Sequence, residues 1–431
     1  MNKKENTIPK GYKLSPLGPI PNDWEVSNSS KAIKYYGGNA FSSDDSLEKG
    51  IRWLKIANVG VERVKWDDES FLPVHYADEY TKYLLKEGDV VMALTRPILD
   101  DKLKIATVSK DDIPALLNQR VAKLIVKTGH HLPFLYYALQ QPHFVHSMNA
   151  SMAGTDPPNI GNGELEKIKI HLPPIEEQTA IANLLSTRDR AITHTTQLIA
   201  QKELRKKWLM QQLLTGKKRL PAFAKATAGK KGFKERFREY RINQLFEMID
   251  RYVEWNDSEL YKLVSIRRRF GGLFYRGDLL GEQIGVKTLK SVYNDDFLIS
   301  KRQVAHGAWA VVTKEFHDAK VSDEYDSLIV KDNEKLNSSF WSWYCQQPIM
   351  RHYAFLDSVG VHIEKLIFDY NQFKKRKVLI PGTIEEQTAI ASVLQSADAE
   401  LNLLRQKLDK LKEQKKGLMQ VLLTGKKRLN V

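Results

Sequence analysis

The sequence predicts an α+β fold in which two similar modules are joined and spaced by two long helices packed as an antiparallel coiled coil. The main observation is a repeat, because residues 175–220 return 209 positions later as residues 384–429, with 24 of 46 positions identical. Both copies begin with IEEQTAIA and end with LLTGKKRL. Two copies are too few for a solenoid, so the repeat indicates a device with approximate two-fold symmetry.

A fainter repeat extends into the segment before each copy. LIVK occurs at residues 124–127 and 328–331, and QQP occurs at residues 140–142 and 346–348. The offsets are 204 and 206 residues, as expected of two diverged copies with matching ends. The chain therefore consists of a variable module, a constant helical unit, a second variable module and a second helical unit.

The composition is that of a globular protein with several domains. The chain has 431 residues, 42% of them hydrophobic, which allows about two to four domains with cores of their own. No apolar run approaches the roughly 18 residues of a membrane span, and the N-terminus lacks an apolar signal segment, so we expect a cytoplasmic protein without membrane contact. Cys345 is the only cysteine, which excludes a disulfide framework and a cysteine-based zinc site.

Positive charge is concentrated in one part of the chain. Of the net charge of +15, residues 1–174 and 242–383 carry +1 each, whereas residues 199–241 carry +11. An excess of this size indicates a polyanionic partner.

Both variable modules show mixed secondary-structure signals. GDVVMALT at residues 88–95 and AKLIVK at residues 122–127 predict strands. LPFLYYALQQP at residues 132–142 and SSFWSWYCQQP at residues 338–348 predict short helices, each ended by its proline. The run at residues 242–264 predicts a helix in its first part.

The second helical unit carries leucines at alternating steps of three and four, the heptad pattern of a coiled coil, with one polar break at Lys415. The first unit is more polar, because Arg188, Thr195, Lys202 and Lys206 interrupt it. The apolar stripe of each helix would pack only weakly by itself, so we expect the two helices to pack against each other. The predicted seam comprises Leu185, Ile192, Ile199, Leu209, Leu213, Leu394, Leu401, Leu404, Leu408, Leu411, Leu418 and Leu422.

These signals divide the chain into five segments. The modules are residues 1–174 and 242–383, and the helical units are residues 175–220 and 384–431, the second including a C-terminal tail. Residues 221–241 form a basic linker that is rich in small residues and has no apolar period.

With this organisation, the chain resembles the specificity subunit of type I restriction-modification systems. The resemblance covers nearly the whole chain and is carried by GYKLSPLGPIPNDWEV at residues 11–26, LPPIEEQTAIANLL at residues 172–185 and LLTGKKRLPAF at residues 213–223. IEEQTAIA and LLTGKKRL return in the second half, which matches the family's layout of two target-recognition domains separated by constant helices. The second half departs from the pattern at residues 381–383, where PGT adds one residue before the helix.

The resemblance implies a non-catalytic DNA reader, in which two pseudo-symmetric target-recognition domains each bind one half of a split target. Family members assemble with two methylation subunits that methylate adenine with S-adenosylmethionine, and motor-nuclease restriction subunits join some complexes. S-adenosylmethionine, ATP and Mg²⁺ are therefore expected only on partner subunits. A helix of about 30 residues is about 45 Å long, which suffices to separate two readers on one DNA face by about 34–36 Å.

In the second module, residues 264–278 form the sharpest basic patch, in which the adjacent Gly271 and Gly272 permit close approach to a backbone. Arginine can donate two parallel hydrogen bonds to guanine O6 and N7. A solvated charge run is the alternative interpretation. The DNA-binding candidates of this module are Arg267, Arg268, Arg269, Arg276, Lys301, Arg302 and Gln303.

In the first module, a basic loop follows the strand predicted at residues 88–95, and the segment LLNQRVAKL lies downstream. Asn and Gln can read adenine edges, but they can equally satisfy backbone groups in a turn. The DNA-binding candidates are Thr95, Arg96, Lys102, Lys104, Asn118, Gln119 and Arg120.

Catalytic and metal sites are not predicted in this chain. Glu176 and Glu177 form a carboxylate pair, but they stand at a helix start, where the helix dipole favours acids. GTDPPNIGN at residues 154–162 resembles the Asp-Pro-Pro-Tyr box of amino-methyltransferases but lacks its aromatic residue, and no glycine-rich cofactor loop accompanies it. The histidines form no recognisable ligand pattern.

Two other functions remain open from the sequence. The chain can be a coiled-coil assembly scaffold whose variable modules bind protein, or a methyltransferase complete in itself. Salt titration separates a DNA reader from a scaffold, because binding through several phosphates weakens steeply with salt. S-adenosylmethionine binding by the chain alone would support the methyltransferase.

Overall fold

The computed structural model describes residues 8–225, 237–362 and 366–429. The chain divides into two compact units, one formed by Met1–Thr196 with Lys407–Val431 and the other by Gln197–Gln406. The division passes through both long helices. Each unit therefore combines one variable module with a part of each long helix.

The first unit is built on a five-stranded sheet of order β4-β13-β8-β11-β6, beside a three-stranded sheet of order β12-β5-β7. Strands β3 and β14 form an antiparallel pair immediately before the first long helix. The strands are β1 (Tyr12–Ser15), β2 (Gly18–Pro21), β3 (Glu25–Asn28), β4 (Ile33–Gly37), β5 (Ile51–Leu54), β6 (Glu62–Arg63), β7 (Phe71–Leu72), β8 (Val90–Ala93), β9 (Ile98–Leu99), β10 (Lys102–Leu103), β11 (Ile105–Thr107), β12 (Ala115–Leu117), β13 (Val121–Val126) and β14 (Lys169–Leu172). The helices are α1 (Tyr76–Glu79), α2 (Leu132–Ala138), α3 (Pro142–Ser151), α4 (Asn162–Leu165) and α5 (Ile175–Leu213).

The second unit contains two four-stranded sheets, of order β16-β23-β20-β21 and β18-β17-β22-β19. An antiparallel pair of β15 and β26 precedes the second long helix. The strands are β15 (Phe237–Arg241), β16 (Phe246–Ile249), β17 (Leu260–Ile266), β18 (Leu273–Leu280), β19 (Leu289–Val292), β20 (Phe297–Ser300), β21 (Trp309–Val311), β22 (Ala319–Ser322), β23 (Tyr325–Val330), β24 (Ser358–Val359), β25 (Ile367–Phe368) and β26 (Lys377–Pro381). The helices are α6 (Pro221–Lys225), α7 (Ile242–Leu245), α8 (Ser338–Tyr344), α9 (Pro348–Leu356), α10 (Tyr370–Phe373) and α11 (Ile384–Leu422).

The two units share one sheet plan, which extends the repeat from the helices into the modules. Strands β4, β13, β8 and β11 pair antiparallel in the same order as β16, β23, β20 and β21. In both modules a short helix and a proline-initiated helix follow this sheet, and a strand pair leads into the long helix. The predicted α+β fold with two pseudo-symmetric modules is confirmed.

Two local predictions were wrong. The prolines of the QQP motifs do not end the preceding helices, which stop at Ala138 and Tyr344; Pro142 and Pro348 begin the next helices. A proline is favoured in the first helical turn, because its missing N–H has no partner there anyway. The run from residue 242 is helical for one turn only and continues as β16, because pairing with β23 buries Phe246.

The long helices pack antiparallel within each unit, as predicted. In the first unit Asp189 of α5 pairs with Lys415 of α11. In the second unit Lys202 of α5 pairs with Glu400 of α11, and Lys206 of α5 pairs with Asp398 of α11. The residue number rises along α5 while it falls along α11, so the two helices run in opposite directions. Each helix has 39 residues, which is longer than the helix of about 30 residues used for the spacing estimate and shorter than the 46-residue repeat.

The helix seam combines apolar packing with ion pairs. All twelve predicted apolar seam side chains are buried or half-buried. Four of the five polar interruptions are accommodated, because Lys202, Lys206 and Lys415 pair with carboxylates and the Thr195 hydroxyl donates to the Ala191 carbonyl of its own helix. The Nε atom of the fifth, Arg188, is buried with no hydrogen-bond partner among the described residues. Polar residues in a coiled-coil seam specify its register.

Three residues after the end of each long helix stands a glycine with left-handed backbone geometry. Gly216 has φ +70° and Gly425 has φ +69°, and a Cβ at either position would lie within 3.0 Å of neighbouring side-chain atoms. The predicted linker begins with the short helix α6, and residues 226–236 of it lie outside the described ranges.

Candidate nucleic-acid interface

In the first module, three of the DNA-binding candidates predicted from the sequence line one open groove. The end of β8 meets the turn before β13, because the backbone N–H of Leu94 donates to the Arg120 carbonyl at 2.9 Å. Thr95, Gln119 and Arg120 line the groove. Gln119 and Arg120 are exposed, whereas Thr95 is buried and its hydroxyl donates to Asn159 Oδ1 at 2.7 Å.

The opposite wall of this groove comes from the segment that resembled a methyltransferase box. Pro157, Asn159, Gly161 and Asn162 line it. The hydrogen bond from Thr95 holds Asn159 by its oxygen, while the Asn162 amide donates to the Tyr35 carbonyl at 3.2 Å. The sequence analysis missed these two asparagines, because nothing in their spacing connects them to a strand more than 60 residues earlier.

The remaining candidates of the first module have separate environments. Asn118 Oδ1 accepts the backbone N–H of Arg120 at 2.9 Å, so this side chain shapes the turn. Arg96 is exposed and adopts φ +47°. Lys104 donates to the Ile56 carbonyl at 2.5 Å, and burial, with the nearby charge of Lys65, lowers the pKa of Lys104.

Lys102 faces a different groove of the first unit. It is exposed, and the groove is also lined by the exposed Lys412 and Lys416 of α11. Glu62 and Asp101 also line this groove, so the lysines leave it with a net positive charge, which suits the phosphate contacts that dominate DNA affinity.

In the second module, the structure brings both predicted segments together. The turn between β17 and β18 docks on the segment after β20, because the backbone N–H groups of Arg269 and Phe270 donate to the carbonyls of His306 and Gly307 at 2.8 and 2.9 Å. The Phe270 ring stacks on Trp309 with a centroid distance of 6.3 Å. This docking fixes a tight turn in which Arg269 and Phe270 both have left-handed backbone geometry.

The turn presents a row of exposed arginines. Arg267, Arg268 and Arg269 are exposed, as is Arg276 on β18. The guanidinium carbon of Arg267 lies 4.8 Å from the centroid of the Phe274 ring, a contact that orients the side chain without neutralising its charge.

The segment after β20 is less basic than its sequence indicated. Lys301 lies 3.9 Å from an Asp326 carboxylate oxygen, and the Arg302 guanidinium lies 3.1 Å from Glu324. The Gln303 Oε1 atom is buried and has no hydrogen-bond partner among the described residues.

The candidates occupy equivalent places in the two modules. Thr95 and Arg96 follow β8, and Lys301 and Arg302 follow β20, which is the corresponding strand of the second sheet. The sequence analysis selected both segments for their charge, and their shared position was not visible before the sheets were known.

The acids at the start of each long helix have structural roles. Glu177 is buried and accepts hydrogen bonds from Trp24 Nε1 and from the Arg428 guanidinium, each at 2.8 Å. Glu386 is buried and accepts from Arg219 Nε at 2.7 Å. The hydrogen bond with Glu386 raises the pKa of Arg219.

These ion pairs explain why both ends of the repeat are identical in the two copies. The arginine of each LLTGKKRL segment pairs with the second glutamate of IEEQTAIA from the other copy. We call each of these ion pairs, Arg428–Glu177 and Arg219–Glu386, an arginine corner. A glutamine stands beside each corner, and the amides of Gln178 and Gln387 donate to the carbonyls of Pro173 and Pro381. The sequence analysis missed the two arginines, although their exact return after 209 residues was a usable signal.

Two further observations concern the described residues only. Residues 8–225, 237–362 and 366–429 contain no group of three or more His, Cys, Asp or Glu side chains arranged to hold a metal ion. In the same ranges, no helix combines the length and the apolar character required to cross a membrane.

A family model described as the type I restriction modification DNA specificity domain matches residues 21–204 and 258–413. The chain is 40% identical over 212 residues to the MjaVIII specificity subunit of a type I restriction enzyme from Methanocaldococcus jannaschii, covering 49% of this chain and 50% of that protein. It is 32% identical over 186 residues to the EcoAI specificity subunit of Escherichia coli, covering 41% and 31%. The match thus spans half or less of these two relatives.

A third relative aligns over nearly its full length. The putative MjaX specificity subunit of Methanocaldococcus jannaschii is 23% identical over 438 residues, covering 99% of this chain and 98% of that protein. None of these relatives supports the alternative of an assembly scaffold.

Solved structures show the same fold. The S subunit of a type I restriction-modification system from M. genitalium matches with a TM-score of 0.57 and 15% identity over 95% of this chain and 98% of that one. A chain from a study of complex assembly and conformational transition of the type I R-M system matches with a TM-score of 0.53 and 16% identity over 94% and 99%.

Proposed function

Since the chain belongs to the family of type I restriction modification DNA specificity domains, we propose that it is the non-catalytic DNA sequence-recognition subunit of a type I restriction-modification complex. Residues 1–174 and 242–383 act as its target-recognition domains, and each reads one half of a bipartite target. The observation that carries this proposal is the equivalent placement of polar and basic candidates after β8 and after β20.

Each module offers side chains suited to direct reading of bases. In the first, Gln119 can contact adenine in a bidentate manner, and Arg120 can contact guanine. In the second, Arg267, Arg268 and Arg269 extend from a turn that is fixed by its backbone hydrogen bonds. A preorganised turn loses little conformational entropy when it binds.

Two readers in one chain give the discrimination that one lacks. A mismatched base pair costs about 1–3 kcal/mol, and the costs of separate positions add roughly. A single module that reads three or four base pairs would meet many competing sites in a genome. Joining two modules through paired helices combines their discrimination on one DNA molecule.

Chemistry belongs to the partners in this proposal. Two methylation subunits bind the chain and supply S-adenosylmethionine-dependent methylation of adenine, and restriction subunits supply ATP- and Mg²⁺-dependent cleavage where they are present. The complex acts in the cytoplasm. The family relationship supports these assignments, as do the structural roles of the carboxylates that otherwise invite a catalytic interpretation.

Equilibrium binding at increasing salt tests the proposal. The chain with its methylation subunits should bind a duplex carrying the target more tightly than a scrambled duplex, and both affinities should fall steeply as salt rises. The duplex carries the target found by mapping adenine methylation in cells. Equal affinity for both duplexes would refute sequence recognition, and salt-independent binding would contradict the contact with phosphates.

A further inference from the structure

Lys415 lies in the helix seam of the first unit and is almost fully buried, with 8% of its side chain exposed. Its ammonium nitrogen lies 2.6 Å from an Asp189 carboxylate oxygen on α5 and 2.6 Å from a Glu62 carboxylate oxygen on β6. The Tyr137 hydroxyl on α2 donates to the other Asp189 oxygen at 2.6 Å. Two long helices and two elements of the first module therefore meet at one lysine.

The second unit contains the same arrangement. Lys206 of α5 pairs with Asp398 of α11. The Lys206 ammonium lies 4.7 Å from the centroid of the Trp343 ring on α8. In the first unit the Lys415 ammonium faces the Tyr137 ring at 5.8 Å.

The residues in these clusters correspond through the repeat. The 209-residue offset relates Lys206 to Lys415 and Asp189 to Asp398, and the two members of each pair are the same residue type. The 206-residue offset of the QQP motifs relates Tyr137 to Trp343. Each cluster takes its lysine from one copy of the helical unit and its aspartate from the other.

We propose that Lys415 and Lys206 are positioning residues, each anchoring one recognition module to the paired helices and thereby governing recognition of one half of the target. This rests on the proposed function, because the half-site effect presupposes DNA reading. The lysines touch no base in this account. Each lysine acts through a short helix of its module that places an aromatic ring against the ammonium group. This helix is α2, with Tyr137, in the first unit and α8, with Trp343, in the second.

The physical reason is the loss of the link that the buried lysine makes between the module and the helices. Removing Lys415 leaves Asp189 without its cation at the seam, and it breaks the link from Glu62 to the helices. The Asp189 and Glu62 side chains are 30% and 51% exposed, so water can solvate both carboxylates once the ammonium is gone, and the module loosens because the link is lost. A small tilt of a reading module misplaces its base contacts, which require defined hydrogen-bond geometry.

The first cluster is tied more firmly to its module than the second. Glu62 adds a second carboxylate from the module, and the tyrosine adds a hydroxyl hydrogen bond. In the second unit the corresponding ring is Trp343, whose buried indole Nε1 has no hydrogen-bond partner within residues 8–225, 237–362 and 366–429. Substitution of Lys415 should therefore have the larger effect.

Hydrogen–deuterium exchange on the full chain tests the anchoring without DNA. Lys415→Met should raise exchange in α2 and around Glu62 while leaving α8 unchanged, and Lys206→Met should do the reverse. Lys412→Met, which removes an exposed lysine from the same helix, is the matched control and should change neither. Unchanged exchange in both short helices, or equal loosening of both, would overturn the anchoring.

Base discrimination in the complex with methylation subunits tests the functional part. Lys415→Met should weaken discrimination by about tenfold, or 1.4 kcal/mol, at base pairs of one half-site. Lys206→Met should affect the other half only. If Lys415→Met fails to fold, Glu62→Gln is the second variant, because it removes the carboxylate through which the first module pairs with Lys415. It should weaken discrimination at the same half-site as Lys415→Met.

The outcomes separate the two levels of the proposal. Loosened modules with unchanged discrimination at both halves would overturn the positioning role, and equal losses at both halves would do the same. If the unmodified complex shows no sequence preference for any DNA, the proposed function fails, while the exchange data still decide the anchoring.

Discussion

Gln119 and Arg120 project from a turn whose geometry is set by their neighbour. Asn118 accepts the backbone N–H of Arg120 with its Oδ1 atom, so this side chain takes part in forming the turn. The exposed pair beside it remains available for DNA. One short polar segment thus divides into a residue that shapes the turn and two that face the groove.

Single substitutions in the two modules should act on different halves of the target. We expect Arg120→Ala to reduce discrimination by about 1–3 kcal/mol at one half-site and Arg267→Ala to do so at the other. Each variant is the control for the other. Competition binding with duplexes changed one base pair at a time measures both, and unchanged binding to both halves would show that neither arginine is a reader.

His171 makes the stability of the first unit depend on pH. Its ring is buried on β14, with its centroid 6.4 Å from the Trp24 ring and 5.5 Å from the His143 ring. Burial, followed by the charge of His143, lowers the pKa of His171 to about 4. The unfolded chain binds the proton near pH 6.5, so acid favours the unfolded state.

The expected result is a stability that is complete above about pH 6.5 and decreases as the pH falls toward 4, by up to about 3 kcal/mol. His171→Gln should make the dependence shallower. Urea unfolding of both proteins at several pH values measures the difference. Parallel pH profiles for the two proteins would contradict the assignment to this histidine.

At the scale of elements, the corners of the repeat hold each unit together. Arg219 and Glu386 are 12% and 1% exposed at their side chains. We expect Arg219→Met to destabilise the second unit by about 3–5 kcal/mol, because it leaves a buried carboxylate without its cation. Chemical denaturation followed by circular dichroism measures the change.

Arg405→Met is the matched control, because Arg405 pairs with Glu203 within the same unit and both side chains are about half exposed, at 52% and 48%. An exposed pair contributes at most about 1 kcal/mol. Equal destabilisation by the two variants would show that the corner pair has no special role.

The sequence predicted the elements that depend on local periodicity. The leucine spacing identified both long helices, and alternation and β-branched residues located β8 and β13. The helix prediction failed where tertiary pairing decides the structure. Phe246 lies in a helical sequence pattern but belongs to β16, which pairs with β23. The sequence correctly placed a helix boundary at each QQP proline. It did not show that the proline begins the following helix, because that depends on where the following helix packs.

The site was predictable only in part, for a physical reason. Charge and side-chain type selected residues 95–96, 118–120 and 267–269, all of which lie outside the strands and helices. The groove wall at Asn159 and the partner of Glu177 depend on contacts between residues 64 and 251 positions apart. A single sequence contains no local signal for such contacts.

At the scale of the whole molecule, the repeat produces two units that each contain helical segments from both copies. The lysine clusters and the arginine corners all join one copy to the other within a unit. Neither copy therefore completes its seam alone, and the two halves of the chain depend on each other for stability.

Phosphate contacts should appear in the salt dependence of binding. Lys102, Lys412 and Lys416 surround one groove of the first unit. If this groove holds DNA backbone, each Lys→Gln change should reduce the slope of log affinity against log salt by about 1, with no change in sequence preference. Lys167→Gln, at a lysine of the same unit that lines a different groove, is the control.

Genome-wide mapping of methylated adenines, in cells that carry this chain and its methylation subunits, tests whether the chain reads a bipartite target. We expect one motif of two short defined tracts, separated by a fixed number of undefined base pairs. The Arg120→Ala and Arg267→Ala variants should each relax a different tract. A single continuous motif, or a methylation pattern independent of this chain, would show that the two modules do not read two halves of one target.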